Sequence, residues 1–234
     1  VNLVGMAPGE KVAAVVPIRA FKEGSYVVTA TRLGYVKKTD VMQYSNIRQT
    51  GIIGVGLDEG DALLGAVVTD GTKELLLGSK IGMSIRFNES QVRPMGRPAH
   101  GVKGIELREG DAAVGMDVLD PALPHVLTVC ENGYGKRSDV AEHREQHRGG
   151  VGIITIKASD RNGSVISVRL VAEDDHLMVM TDRGKVIRTK VKEIAVQGRN
   201  TQGVRIIRLD EGERVAGLER LAETEGDDRE DKGE

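Results

Sequence analysis

Short runs in which apolar and polar residues alternate recur along the chain, and each run lies beside a glycine. In Gly101–Asp111, Ile105 and Leu107 point to one side of an extended backbone and Glu106 to the other; Ile207 and Leu209 flank Arg208 in the same way. A period of two is that of a half-buried strand. A second kind of run, more continuously apolar, ends in a glycine turn: Tyr26–Gly34, Glu74–Gly82, His125–Gly133 and His176–Gly184. Asn132-Gly133 is a strong hairpin signal, because tight hairpin turns require positive φ. Each repeat therefore predicts two hairpins, or four short strands. Helix is scarce, with room for a turn or two in Thr39–Asn46 and Thr189–Val196.

These runs belong to one internal repeat. Gly51–Asp61, Gly101–Asp111 and Gly203–Glu213 align without gaps, with starts 50 and 102 residues apart. The intervening copy begins at Gly150-Val-Gly-Ile-Ile-Thr-Ile156, and its turn differs from the others: Ser159-Asp-Arg-Asn-Gly163. Met6–Glu10 aligns with Leu57–Asp61, so the chain opens inside a partial repeat followed by about four whole ones. Four strands per repeat of this length is the pattern of a propeller blade, and a fixed period favours radial repetition over a plain sandwich.

Composition agrees with a turn-rich all-β protein, with 30 glycines, 3% aromatics and no Trp. The single cysteine, Cys130, cannot form an internal disulfide, which suits a reducing compartment. No apolar run approaches the roughly 20 residues a spanning helix needs. The first residue is Val1, and the chain reads as a piece of a longer polypeptide. The net charge of −2 hides a segregation: residues 223–234 hold seven acids and two bases, leaving 31 Lys+Arg against 28 Asp+Glu in residues 1–222. The expected organisation is a β-domain over 1–222 and a disordered acidic tail over 223–234.

Basic residues follow the hairpin glycine in every copy: Lys37 and Lys38, Arg86, Lys136 and Arg137, Lys185 and Arg188. Others precede the repeat glycine: Arg48, Arg97, Arg148 and Arg199. If the repeats are blades, matched positions lie on matched edges and form a basic belt. The partner such a belt predicts is the phosphate backbone of double-stranded DNA, bound independently of sequence and sensitive to salt. A curved belt also rewards bending. On this reading, joint charge reversal of Lys37, Arg86, Arg137 and Arg188 removes DNA binding without unfolding the protein.

The chain resembles the C-terminal domain of the bacterial DNA gyrase A protein over nearly its whole length. The resemblance is carried by Glu131-Asn-Gly-Tyr-Gly-Lys-Arg137, by Gly150–Ile156 with Arg161-Asn-Gly163, by Val186–Ile194 and by Gly198-Arg-Asn-Thr-Gln-Gly-Val204. It implies an all-β fold, a β-pinwheel of propeller-like four-stranded blades with strands exchanged between them, truncated here relative to a six-bladed domain. It also implies DNA wrapped around a basic perimeter, within an ATP-dependent type II topoisomerase that introduces negative supercoils. The implied partners are duplex DNA, the rest of the gyrase A protein and the gyrase B protein in an A2B2 heterotetramer, in the bacterial cytoplasm at the nucleoid and not at a membrane. ATP and Mg2+ belong to other domains, so no cofactor is expected in this chain. Topoisomerase IV offers a related domain, and a propeller scaffold for protein partners is the more distant alternative. Gln146-His-Arg-Gly-Gly-Val-Gly152 is similar to the family's glycine-rich DNA-wrapping box but aligns with an ordinary turn between blades.

No catalytic or metal-binding set emerges. None of Tyr26, Tyr35, Tyr44 and Tyr134 follows an arginine, as the resemblance would require of the DNA-cleaving tyrosine, and each is expected to pack. His143 and His147 are expected in a surface turn, Cys130 on a buried strand, and Asp174-Asp175 in a turn.

Overall fold

The computed structural model describes residues 6, 9, 11–46, 48 and 51–222. The acidic tail over 223–234 and residues 1–5, 7, 8 and 10 of the partial opening repeat lie outside them. The described residues form two compact units. One runs to Leu119 and includes His143–Thr155; the other comprises Asp120–Glu142 and the described residues from Ile156 on.

The first unit holds two four-stranded antiparallel sheets. Blade 1 has the order β3 (Leu63–Thr69), β1 (Tyr26–Thr31), β2 (Tyr35–Asp40), β6 (Val102–Lys103). Blade 2 has β10 (Ile153–Ile154), β5 (Met83–Asn88), β4 (Glu74–Ser79), β7 (Ala113–Val118). Its core joins Val28, Ala30, Val36, Leu75, Leu77, Ile85 and Phe87. The second unit holds blade 3, β11 (Val165–Val171), β8 (His125–Cys130), β9 (Tyr134–Asp139), β14 (Val204–Arg205), and the three-stranded blade 4, β13 (Val186–Lys190), β12 (His176–Thr181), β15 (Val215–Leu221). Leu127, Val129, Leu177, Val179, Val191 and Leu218 form its core. The expected all-β class of repeated blades holds.

Two local expectations change. The sequence pattern predicts full strands for the alternating segments, but only Val102–Lys103, Ile153–Ile154 and Val204–Arg205 are strands and Gly51–Asp61 holds none; Ile105 and Ile207 are buried and Glu106 and Arg208 exposed on irregular chain. The two-residue strand belongs to the sheet of the preceding repeat, as the pairing of Val36 with Val102 and of Gly135 with Val204 shows. Blades 1 to 3 are thus each closed by a piece of the repeat that follows. The two expected helical turns are short 3-10 helices at Val41–Tyr44 and Val191–Glu193, and equivalent ones occur at Glu89–Gln91 and Val140–Glu142.

The glycine before each exchanged strand marks this exchange; in the third copy it is Gly152, two residues past Gly150, where the sequence pattern places the start of that copy. Gly101, Gly152 and Gly203 have φ of 110°, 75° and 74°, and a Cβ on them would lie 2.5, 2.4 and 2.7 Å from the carbonyl oxygens of Val36, Ser84 and Gly135. Only glycine admits both the left-handed backbone and the close approach. Gln146–Gly152 occupies this same connector position, in line with its reading as an ordinary turn.

Candidate nucleic-acid interface

The bases after each hairpin glycine divide by position. Three residues past the glycine stand Lys37, Ile85, Lys136 and Ile187, and this is a core position: Lys37 and Lys136 are both 0% exposed. The Lys37 ammonium donates to the carbonyls of Gly54 and Arg97, each at 2.6 Å. That of Lys136 donates to the Gly198 and Arg199 carbonyls at 2.6 and 2.8 Å and contacts Ser138 Oγ at 2.9 Å. Burial pulls both pKa values from 10.5 down to about 8, aided by Arg97 near Lys37 and by Arg199 near Lys136, where Glu142 opposes the fall.

One residue further on, Lys38, Arg86 and Arg137 reach the short helix of the following repeat. Lys38 donates to the Glu89 carbonyl at 2.8 Å, and burial lowers its pKa against the pull of the Glu89 carboxylate 4.0 Å away. Arg86 donates to the His143 carbonyl at 3.2 Å and forms a fork on Glu74 at 2.7 and 3.2 Å. Arg137, 3% exposed, donates to the carbonyls of Ile194 and Lys192 at 2.7 and 3.3 Å. These side chains fasten one repeat to the next. Within the joint reversal of Lys37, Arg86, Arg137 and Arg188, the first three would press carboxylates against backbone carbonyls, so the expectation that it spares the fold is corrected.

The remaining predicted bases are more open. Arg188 is exposed, with Nε on His176 Nδ1 at 3.0 Å. Lys185 is exposed but pairs with Glu213 and Asp210 at 2.9 and 3.0 Å, and these bonds raise its pKa. Arg48 is exposed. The connector arginines are half-buried: the Arg97 guanidinium donates to Ile53 O at 2.8 Å and that of Arg148 to Gln91 O and Lys103 O at 2.8 and 3.0 Å, while the backbone N–H of Arg199 donates to the Glu142 carboxylate at 2.9 Å. A guanidinium anchored through some of its five donors can turn the rest outward.

Sequence reasoning missed the exposed cations on the exchanged strands. Lys103 ends β6 and pairs with Glu106 at 2.7 Å, which raises its pKa. Arg205 ends β14 and donates to the Tyr134 hydroxyl at 3.0 Å, with its guanidinium 5.4 Å from the ring centre; Arg161 lies 4.8 Å from the same centre. The alternation around Gly203 could have flagged Arg205 as outward-facing.

Three other assignments are settled by packing. His143 is buried with Nδ1 3.0 Å from Ser84 Oγ, not in a surface turn, while His147 is exposed. Cys130 is buried and its thiol pushed up to about 12, first by burial and then by Glu131. Asp175 is buried, accepting from Ala172 N at 2.7 Å and Arg220 at 3.3 Å. Among the described residues no group of three or more His, Cys, Asp or Glu could hold a metal ion, and no helix is long and apolar enough to cross a membrane.

The four sheets coincide with four matches to the family described as DNA gyrase C-terminal domain, beta-propeller, at residues 25–70, 73–120, 124–172 and 175–222. The chain belongs to the DNA gyrase C-terminal domain family. It is 44% identical over 228 residues to the DNA gyrase A protein of Salmonella typhimurium, covering 97% of this chain and 26% of that protein. The Escherichia coli gyrase A protein is 43% identical over 223 residues, covering 95% and 25%. The chain thus spans about a quarter of the length of these curated relatives. A solved DNA gyrase A C-terminal domain matches with a TM-score of 0.83 at 26% identity, covering 94% of this chain and 73% of that one. The C-terminal domain of a DNA topoisomerase IV matches with 0.88 at 25% identity, covering 94% and 69%. The propeller-like blades read from the repeats, and the β-pinwheel that the resemblance implied, are therefore the fold of this family.

Proposed function

We propose that this domain binds duplex DNA without regard to sequence and bends it along a basic perimeter, as part of a gyrase that introduces negative supercoils at the expense of ATP. The observation that carries the reading is family membership, at 44% identity to a gyrase A protein over 97% of the chain. The recurrence of Arg97, Arg148 and Arg199 at one connector position, with Arg188, Arg205 and Lys103 exposed, supports it physically. Cations fixed by backbone bonds lose little side-chain freedom on meeting a phosphate. The DNA contacts are assigned to these open bases together with Arg48 and Lys185; Lys37, Lys38, Arg86, Lys136 and Arg137 hold the backbone that presents them. The partners on this reading are DNA, the remainder of the gyrase A protein and the gyrase B protein in an A2B2 assembly in the bacterial cytoplasm, with ATP and Mg2+ used by other domains. A second reading, the corresponding domain of topoisomerase IV, is favoured by the TM-score of 0.88 alone.

The test is end-to-end energy transfer on a duplex of roughly 40 bp, far shorter than the ~150-bp persistence length. Transfer that rises with added protein and falls steeply with salt is expected. Absence of binding at low salt overturns the reading.

A further inference from the structure

Blades 1 and 3 carry the same tyrosine at the start of the second strand, Tyr35 and Tyr134, and each faces the end of an exchanged strand. Around Tyr35 the charges compensate: Lys103 pairs with Glu106 at 2.7 Å, and the turn before β3 reads Asp58-Glu59-Gly60. Around Tyr134 two of these signs are reversed. Arg208 stands at the position of Glu106, and Arg161, two residues before Gly163 in the divergent Ser159–Gly163 turn, stands where the blade 1 turn carries Asp58 two residues before Gly60. Both reversals converge with Arg205 on one concavity of about 460 Å3, lined by Tyr134, Arg161, Arg205, Ile206, Ile207 and Arg208. None of the three arginines is in an ion pair with a described carboxylate, whereas Lys103, Lys185 and Arg214 each are. Hydrogen bonds from Arg161 and Arg205 also hold the Tyr134 phenol below its usual pKa.

Three guanidinium groups gathered without a counter-charge repel one another, and the concavity is open to an anion that relieves the repulsion. Guanidinium forks match phosphate oxygens in spacing and in bond direction. We propose that the Tyr134–Arg161–Arg205–Arg208 notch binds a phosphodiester of the DNA backbone as a fixed anchor that sets where the duplex engages blade 3. This inference rests on the DNA-binding reading above.

The test compares two double variants of equal charge change on the whole chain, Arg161→Gln with Arg208→Gln at the notch and Lys73→Gln with Lys80→Gln in the exposed turns of blade 2. Binding of a labelled 40-bp duplex is followed by anisotropy from low to moderate salt. The notch variant is expected to bind ~10-fold more weakly at physiological salt, with the log–log salt slope reduced by about 0.9, the value for one lost phosphate contact. The control is expected to change much less. Tyr134→Phe, which keeps the ring and removes the acceptor of Arg205, is expected to weaken binding a few-fold with an unchanged thermal midpoint, and remains informative if the double variant does not fold. Equal losses in the two doubles overturn the anchor and leave the DNA reading standing; no binding by the parent chain overturns both. Pyrophosphate that raises the parent's thermal midpoint while the two doubles lose DNA affinity equally would reassign the notch to a free anion.

Discussion

Replacing Lys136 by methionine separates a structural strut from a phosphate contact. Methionine keeps the reach of the side chain and deletes its donors, so the carbonyls of Gly198 and Arg199 lose bonds of 2.6 and 2.8 Å. A carbonyl stripped of its donor costs about 1–3 kcal/mol, or roughly 2–5 for the pair. Deleting an ammonium that burial disfavours offsets part of this. The fall of its pKa from 10.5 to about 8 corresponds to an offset of about 3 kcal/mol. The net expectation at pH 7 is a loss of at most about 2 kcal/mol. Its pH dependence follows from the depressed pKa. Between pH 8 and 10.5 the unfolded chain holds the Lys136 proton and the folded chain sheds it, so the unmodified protein gains stability as pH rises. A neutral amine still has two hydrogens for the two carbonyls. The variant has nothing to titrate there, and the gap should widen by about 2 kcal/mol from pH 7 to pH 10. Urea unfolding of both proteins at pH 7, 8.5 and 10 measures this. A variant as stable as the parent at pH 7, with a gap that stays flat to pH 10, would refute the reasoning. The folded variant should also bind duplex DNA within about twofold of the parent, because the ammonium is turned into the fold; a charge-contact role predicts a loss in the salt slope of about 0.9.

Gly152→Ala should cost about 3 kcal/mol or more and disrupt the exchanged strand, since its Cβ would meet Ser84 O at 2.4 Å at φ 75°, whereas Gly110→Ala, with φ 76° and open space around it, should cost only about 1 kcal/mol; thermal melts of the pair test this. Cys130 should resist thiol reagents at pH 8 in the folded protein and react at once in denaturant, because it is buried and its pKa is pushed to about 12. Glu213 accepts from Asp210 N, Lys185 and Thr181, which hold its pKa near 2 instead of 4.5. Its contribution is present above pH 4.5 and is lost as pH falls toward 2, so Glu213→Gln should flatten the decline of the melting temperature across that window. An unchanged decline would refute that role.

What the chain itself determined was the repeat. Glycine spacing, the alternation of Ile105, Glu106 and Leu107, and the Asn132-Gly133 turn are local facts that constrain the backbone whatever it packs against. They specified short strands, hairpins and blades before any contact was known, and they placed Cys130 inside. Tertiary structure decided the meaning of the charges. Lys37 and Lys136 look like surface cations in sequence, yet they occupy the position that Ile85 and Ile187 fill in the other blades. Their ammonium groups are tolerated there because carbonyls 17 and about 60 residues away converge on them. Such convergence is produced by strand exchange, and no local pattern encodes it. The same folding brings Arg161 and Arg205, far apart in sequence, onto one face of blade 3 with Tyr134. A cation's sequence position records its sign. Its role depends on which carbonyls, carboxylates or solvent the fold sets opposite it.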